Sequence, residues 1–350
     1  GILFGLVTDR LGRSRTLLFT MLTYACATAA WSLASDVWML TAFRFVAALG
    51  IGGEWAAGAS LVAEVVPAHR RVAAGALLYT SAPLGIFLAT VVNDVFTNHI
   101  TALNAYPDLG WRLVFLTGLV PAAFALWIRR HVKEPEAWEA SRGARPRLRE
   151  IFAPAYRRAT LGGLAMCLVT LLTWWGTNAF LPFVVGSLAG PDAMPAVRAG
   201  YVRYASTLFN LGGLLGTLAT IPLARLGRRA LFALYLAGGA ASIWLTFALP
   251  WEPVVRMRLL FLVGLTVFGV VGSFSFYLPE LFPVRLRGTG AGFCFNAGRY
   301  LAAVGPYVIG RALAVAPTPL DAIRWMALVP LVGLLLVPVI VETHRATADG

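Results

Sequence analysis

The chain has 350 residues, of which 59% are hydrophobic and 13% are charged, and its formal net charge is +13. Soluble domains carry about 25% charged residues, so this composition excludes a soluble globular domain and predicts many membrane-spanning segments. The sequence has no zinc-ligand motif, no His–acid pair within an apolar segment and no Walker-type nucleotide loop. These features argue against an enzyme and against ATP-driven transport.

Ten apolar runs follow one another along the chain after a short apolar stub at 1–7. Each run is close to or longer than the roughly 20 residues that a helix needs to cross a bilayer. A membrane barrel would instead show short segments of alternating polarity, so the predicted fold class is an all-α polytopic bundle. The predicted spans are 16–35, 39–65, 73–93, 112–129, 158–185, 201–224, 230–249, 258–279, 288–313 and 323–341.

Basic residues divide the loops between these spans into two groups. One set of alternate loops, together with the C-terminal tail, holds 20 of the 29 Lys and Arg, whereas the opposite set holds seven. Positively charged loops mark the cytoplasmic side of a membrane protein, so we expect the arginine-rich side to be cytoplasmic. The net charge therefore reflects topology, and no nucleic-acid partner is expected.

Two stretches on the arginine-rich side recur later in the chain. "DRLGRSR" at 9–15 matches "ARLGRRA" at 224–230, at a shift of 215 residues. "AEVVPAHRRVAAGA" at 63–76 matches "PELFPVRLRGTGAG" at 279–292, at a shift of 216. Because both copies lie on one side of the membrane, they predict parallel repeats about an axis along the membrane normal.

The same shift defines the predicted domains. Subtracting 215 from the span 158–185 gives positions before residue 1, so we expect the first repeat to lack its first helix and most of its second. The polar stretch between the repeats is typical of an interdomain linker. The predicted parts are an N-terminal bundle at 1–129 (end of helix 2 to helix 6), a cytoplasmic linker at 130–157, a C-terminal bundle at 158–341 (helices 7–12) and a cytoplasmic tail at 342–350.

These motifs resemble those of the major facilitator superfamily. "GLVTDRLGRSR" is similar to the family's signature loop between helices 2 and 3, and "LARLGRR" to a degenerate second copy. "GIGGEW", "WWGTNAFLP" and "FNAGRYLAAVGP" look closest to metabolite:proton symporters, such as the lactate and sialic acid groups. The resemblance implies two six-helix bundles, a central cavity and alternating access by rocking. We expect a small-molecule substrate, protons, no cofactor, and a monomer in the bilayer of the bacterial inner membrane.

Arg299 lies in a strongly apolar segment, eleven residues into its predicted helix. At 1.5 Å per residue this is about 16 Å, near the membrane midplane, where an arginine must face a cavity or a partner. Asn296 and Tyr300 share its helical face, and its guanidinium fork suits a carboxylate. We expect either a substrate-binding role for these three residues or a structural ion pair between Arg299 and an acid on another helix.

Glu54 and Arg44 are two further charged residues within predicted spans, and Glu54 is the only acidic side chain deep in one. A buried carboxylate can carry a proton as the cavity changes its exposure, so Glu54 is the candidate for proton coupling. The alternatives for Glu54 are a fixed arginine partner and a neutral acid packed among glycines. Arg44 resembles the helix 4 arginine of sugar porters, which implies coupling or substrate contact; a structural charge at the membrane edge is the alternative.

Trp174 and Asn178 fall on one face of the predicted seventh helix. An amphipathic aromatic side chain beside an amide suits a polar metabolite, while helix–helix packing is the alternative for the tryptophan. Both residues are therefore candidates for substrate binding.

Charged residues at helix ends on the arginine-rich side form a last candidate group. Such residues can form ion pairs that lock one transport state and break on rocking, and solvated topogenic charge is the alternative. The candidates for this cytoplasmic gate are Asp9, Arg10, Arg13, Glu64, Arg71, Arg225, Arg229, Glu280 and Arg287.

The sequence as a whole predicts a secondary transporter that imports a small organic anion by proton symport. A monocarboxylate, an aromatic acid or a sialic acid would fit this prediction. The alternatives are a transporter of sugars or other neutral metabolites and a nonfunctional, truncated transporter remnant.

Overall fold

The computed structural model describes residues 1–96, 100, 107–141, 146–190 and 192–344, with backbone only at 107 and 128–130. Parts of the predicted linker (142–145) and tail (345–350) lie outside the described residues. The described chain is helical and contains no strand. Its α-helices are α1 Ile2–Leu11, α2 Arg13–Ala30, α3 Val37–Val65, α4 Arg71–Asp94, α5 Pro107–Leu116, α6 Leu119–His131, α7 Glu136–Ala140, α8 Pro154–Asn178, α9 Leu181–Ser187, α10 Pro195–Leu223, α11 Arg228–Ala248, α12 Pro253–Val263, α13 Phe274–Glu280, α14 Arg287–Ala302, α15 Val304–Val315, α16 Pro319–Arg324 and α17 Leu328–Leu336.

Within the described ranges, nine helical segments are long and apolar enough to cross a membrane. They correspond to nine of the ten predicted spans. The tenth prediction, 288–313, is divided into α14 and α15, neither of which reaches the length of a span alone. The stub at 1–7 belongs to the helix α1. The all-α polytopic fold class is therefore confirmed, and the uninterrupted tenth helix is not.

Prolines explain three interruptions of the predicted spans. A proline has no N–H and cannot bond to the carbonyl four residues earlier, so a helix tends to break there. Pro121, Pro182 and Pro306 follow the ends of α5, α8 and α14 by four or five residues, and the next helix begins within two residues of each proline. The predicted span 258–279 has a different irregularity, because a π-helical turn at 264–268 and a 3₁₀ turn at 269–273 connect α12 to α13.

The repeat is visible in the backbone at the two Arg-Leu-Gly-Arg loops. Gly12 has φ +114° and Gly227 has φ +100°, and these two residues are separated by the shift of 215 found in the sequence. Only glycine adopts such angles without strain. Each glycine lets the chain turn sharply between two helices, which aims the following arginine back toward its own half.

Two halves meet along a few helices, with α1–α6 forming the N-terminal half and α8–α17 the C-terminal half. Contacts across the boundary run between α1 and α14, α3 and α14, and α4 and α10. The backbones approach closely near the arginine-rich ends, where a Cβ on Gly5 would lie only 2.4 Å from the carbonyl oxygen of Gly288. The halves are thus tightly packed on the predicted cytoplasmic side.

Candidate functional site

Arg13 is the centre of a buried ion-pair network in the N-terminal half. Its guanidinium lies 3.0 Å from Asp9 and 2.8 Å from Glu64, and all three side chains are fully buried. Buried charges of this kind persist only when they are paired and hydrogen-bonded. The turn at Gly12 and the end of α3 therefore hold three of the predicted gate residues in one cluster.

This network continues across the boundary into the C-terminal half. The Asp9 carboxylate accepts hydrogen bonds from the backbone amides of Gly288 (3.0 Å) and Thr289 (2.7 Å) and from the Thr289 hydroxyl (2.6 Å). Arg13 donates to the Val284 carbonyl at 2.7 Å. Arg287 lies 3.4 Å from Glu64. These charge-assisted bonds close the arginine-rich side.

The second copy of the motif forms a similar pair that stays within its own half. Arg228, with a side chain 1% exposed, lies 2.8 Å from Glu280. The position equivalent to Asp9 is occupied by Ala224, so this copy has no carboxylate to reach across the boundary. Arg228 was not among the predicted gate residues, although the shift of 215 aligns it with Arg13 and could have identified it.

The remaining predicted gate residues lie around these two networks without joining them. Arg71 lines a small cavity together with Glu280 and Arg287. Arg10 donates to the carbonyl of Pro146, and Arg229 to that of Ile340. Arg225 is exposed and has no partner in the described part of the chain.

Two glutamates that were not predicted from the sequence bind the backbone of the Arg-Leu-Gly-Arg loops. Each lies just after the last long helix of its half. Glu134 accepts from the backbone amides of Arg13, Ser14 and Arg15. Glu342 accepts in the same way from Arg228 and Arg229. Carboxylates are favoured at the positive N-terminal end of a helix. Burial opposes ionisation of Glu342, but these amides outweigh it and hold the pKa of the carboxyl below its ordinary value.

Arg299 is half-buried in α14 and has no charged partner among the residues that the structure describes. No described residue forms an ion pair or a hydrogen bond with its guanidinium, whose carbon lies 5.6 Å from the centre of the Phe295 ring. The hydroxyl of Tyr79, on α4 of the other half, is within electrostatic range. Of the two predictions for Arg299, the structural ion pair has no candidate acid in the described part.

Aromatic rings from both halves lie near this guanidinium or are linked by ring contacts to a ring that does. The Phe295 ring stacks on Trp55 of α3 at a centroid distance of 4.0 Å. The ring of Phe268, in the π-helical turn, packs beside those of Tyr79 and Trp174. The distances between ring centroids are 6.4 Å and 5.7 Å. Ring contacts therefore connect Trp174, through Phe268, to Tyr79, and we call this row of rings the aromatic arc. The indole Nε1 of Trp174 is buried without a hydrogen-bond partner, and is a donor that a polar ligand can use.

The other predicted substrate contacts differ in how far their side chains are buried. Asn296 is buried, donates to the carbonyl of Gly292 and faces α3. Tyr300 is 78% exposed. Asn178 is half-buried at the last residue of α8. Only Asn296 is enclosed between the halves next to Arg299.

Glu54 and Arg44 lie on the same helix but at different depths. Glu54 is half-buried, forms no ion pair or hydrogen bond in the described chain, and is within electrostatic range of Tyr24. Arg44 is exposed, and its guanidinium lies over the Trp31 ring at 5.1 Å. Ten residues separate them, about 15 Å along a helix, so these two residues are not partners.

A guanidinium without an ion-pair partner is chemically suited to a carboxylate ligand. In the described part of the chain, the Arg299 guanidinium on α14 and the Glu54 carboxyl on α3 both lack ion-pair partners, and they belong to opposite halves. No group of His, Cys, Asp and Glu that could hold a metal occurs among the described residues.

Comparisons with known proteins agree with this architecture. A family model described as "Major Facilitator Superfamily" matches residues 1–306. The "probable 4-methylmuconolactone transporter" of Cupriavidus pinatubonensis is 31% identical over 89% of this chain and 72% of that protein. The "gentisate transporter" of Corynebacterium glutamicum is 26% identical over 89% and 69%. The solved structure of the proton:xylose symporter XylE aligns with this chain at a TM-score of 0.76 and 18% sequence identity. The alignment covers 98% of this chain and 84% of the XylE chain.

Proposed function

This chain belongs to the major facilitator superfamily, and from that membership we propose that it imports a small organic anion by symport with protons. It is a multi-pass membrane transporter, not an enzyme, and its curated relatives transport organic acids. The bacterial inner membrane is the proposed location, and a monomer the proposed working unit. The proposal of anion import is argued from Arg299, and the proposal of proton coupling is argued from Glu54.

The unpaired guanidinium of Arg299 carries the proposal. An arginine at the centre of a bilayer costs a few kcal/mol even on insertion scales, and such residues face a partner or an aqueous cavity. Since no acid of the described chain lies beside Arg299, a substrate carboxylate is the partner that would compensate its charge. A planar guanidinium binds a carboxylate through two parallel hydrogen bonds.

The aromatic arc supports an unsaturated or ring-containing acid. Tyr79 lies within electrostatic range of the charge, and Phe268 and Trp174 continue the row of flat apolar faces from it. The Trp174 Nε1–H adds a donor without a partner in the described chain. Gentisate and 4-methylmuconolactone, named for two relatives, both combine a ring with a carboxylate. A transporter of neutral sugars would leave Arg299 uncompensated, so the organic acid is preferred.

Glu54 is the proposed proton carrier. It lies at about the same depth as Arg299, since each residue is 11 or 12 positions from the arginine-rich end of its helix. Its carboxyl is free of partners in the described chain, and so a change in its exposure can change its protonation. The closed arginine-rich side is consistent with one state of an alternating-access cycle.

Binding and uptake of gentisate test this function. Purified protein is titrated with gentisate while tryptophan fluorescence is recorded, and proteoliposome uptake is measured under an inward proton gradient. Arg299→Ala should weaken binding at least about thirtyfold, since removing one partner of a buried charge pair costs 2 kcal/mol or more. Arg299→Lys should retain part of the gentisate binding. Arg311→Ala, which removes an exposed arginine from the adjoining helix α15, is the matched control.

Two outcomes would overturn the proposal. Undiminished binding and uptake in a folded Arg299→Ala protein would remove the arginine from the substrate site. Accumulation of neutral sugars alone, in a panel of labelled sugars and acids, would identify a sugar transporter instead.

A further inference from the structure

A groove of about 390 Å³ lies on the outer surface of the C-terminal half, between the start of α8 and the end of the last span. Its α8 wall presents residues 154, 157, 158, 161, 162 and 165, which share one face of a helix by their spacing. The opposite wall is formed by residues 336, 339 and 340. The opposite face of α8 packs against α14 in the core, so the groove belongs to the surface and is separate from the central site.

Two arginines stand at one end of this groove. Arg157 is exposed, and its side chain has no hydrogen bond or ion pair in the described part of the chain. Arg158 is also exposed, and its Nε donates to the Val339 carbonyl at 3.1 Å, which fixes the side chain against the opposite wall. Arginines close to the N-terminal end of a helix, as these two are in α8, are electrostatically unfavourable. Their presence there suggests that an anion outside the protein compensates them.

The acidic residues of the adjacent segments are engaged elsewhere. Glu150, just before α8, pairs with Arg285, and this guanidinium holds the pKa of the carboxyl below its ordinary value. Glu342, just after the last span, accepts from the backbone amides of Arg228 and Arg229. The mouth of the groove therefore keeps its positive charge.

The rest of the groove is apolar and runs into the membrane. Leu161, Ala165, Leu336 and Val339 line it, and Leu161 and Val339 are 50% and 54% exposed. From Pro154 to Ala165 the helix rises about 16 Å, close to half of the roughly 30 Å hydrocarbon core. A charged end at the membrane surface and an apolar cleft one leaflet deep match the shape of a lipid.

We propose that this groove binds one anionic phospholipid from the leaflet on the arginine-rich side. The phosphodiester lies between Arg157 and Arg158, and one acyl chain follows Leu161 and Ala165 toward the membrane centre. Basic pockets between transmembrane helices on the cytoplasmic side favour anionic headgroups in this way. A soluble protein partner does not fit, because most of the groove lies at hydrocarbon depth.

Native mass spectrometry tests the site with phosphatidylglycerol as the probe. The purified protein, exchanged into detergent with added phosphatidylglycerol, should retain one molecule of this lipid in preference to phosphatidylcholine. Each of Arg157→Gln and Arg158→Gln should weaken retention about fivefold, the effect of one basic residue near an anionic surface. Arg149→Gln, which removes an exposed arginine outside the groove, should leave retention unchanged.

Cross-linking of the unaltered protein provides a test that does not depend on how variants fold. Phosphatidylglycerol with a diazirine in its acyl chain should label peptides containing Leu161, Ala165 or Leu336. Equal retention of phosphatidylcholine, equal loss in Arg149→Gln, or labelling spread over all spans would overturn the site. Full displacement of the lipid by millimolar inorganic phosphate would show a bare anion site and overturn the lipid assignment.

Discussion

Trp55 and Phe295 stack face to face across the boundary between the two halves, with ring centroids 4.0 Å apart and an interplanar angle of 7°. Trp55 follows Glu54 in α3, and Phe295 lies one helical turn before Arg299 in α14, on its arginine-rich side. The pair therefore separates the candidate proton and substrate residues from the Asp9–Arg13 network. We expect a motion that opens the arginine-rich side to part these two rings, because they lie on α3 and α14 of opposite halves.

The stack should contribute measurably to closure of the halves. We expect Trp55→Leu and Phe295→Leu each to destabilise the closed state, with a coupling of about 1 kcal/mol in a double-mutant cycle, as for other aromatic pairs. The melting temperatures of the two single variants and the double variant in detergent measure this coupling. Strictly additive effects would mean that the rings contact each other without stabilising the closed state.

Asp9 should hold the arginine-rich side closed. Asp9→Asn removes the negative charge from the side chain that accepts hydrogen bonds from two amides and a hydroxyl of the C-terminal half. The population of the open state should therefore rise about tenfold, which corresponds to about 1.4 kcal/mol. The reporter is Ala56→Cys, a buried position against Gly292 of the other half, in a background without the native cysteines. Its alkylation rate should rise in Asp9→Asn.

Asp36→Asn is the matched control for this experiment. Asp36 caps the opposite end of α3 and takes no part in the network, so the same chemical change there should not alter alkylation of the reporter. An unchanged rate in Asp9→Asn would show that Asp9 is structural only.

Arg228 and Glu280 should behave as a buried pair. Arg228→Leu leaves Glu280 buried without its main partner, which typically costs 3–5 kcal/mol, whereas Arg228→Leu with Glu280→Gln should recover most of that loss. Thermal unfolding of the two variants is the measurement. A double variant less stable than the single one would mean that the pair has no compensating role.

Glu342 should make stability depend on pH. Its pKa is held below the ordinary value in the folded protein, so its contribution is present above the unfolded-state pKa of about 4.3 and is lost as pH falls through the folded-state pKa. Glu342→Gln should therefore lower the melting temperature at pH 7 and lower it by less at pH 3. An equal effect at both pH values would contradict the linkage.

Glu54→Gln should separate binding from proton coupling. Gentisate binding should persist, because the carboxyl of Glu54 has no contact with Arg299, while accumulation driven by a proton gradient should be lost. Exchange of labelled for unlabelled gentisate across proteoliposome membranes, compared with gradient-driven uptake, measures the difference. Accumulation at the normal level would remove Glu54 from the coupling step.

The sequence alone determined the number and polarity of the apolar segments, the repeat at a shift of 215, and the placement of Arg299 near the middle of a span. These features are local: hydropathy, chain length and short motifs suffice to read them. The helix breaks before Pro121, Pro182 and Pro306 were also available from local rules, although the predicted spans ran through them.

Only the tertiary structure decided which charged residues meet. Asp9 reaches Thr289, 280 positions away, and Glu134 reaches Arg13, 121 positions away. Helical periodicity shows which face a residue occupies but not which helix lies opposite. The unpaired state of Arg299, the Trp55–Phe295 stack and the groove at Arg157 therefore appear only when the helices are packed together.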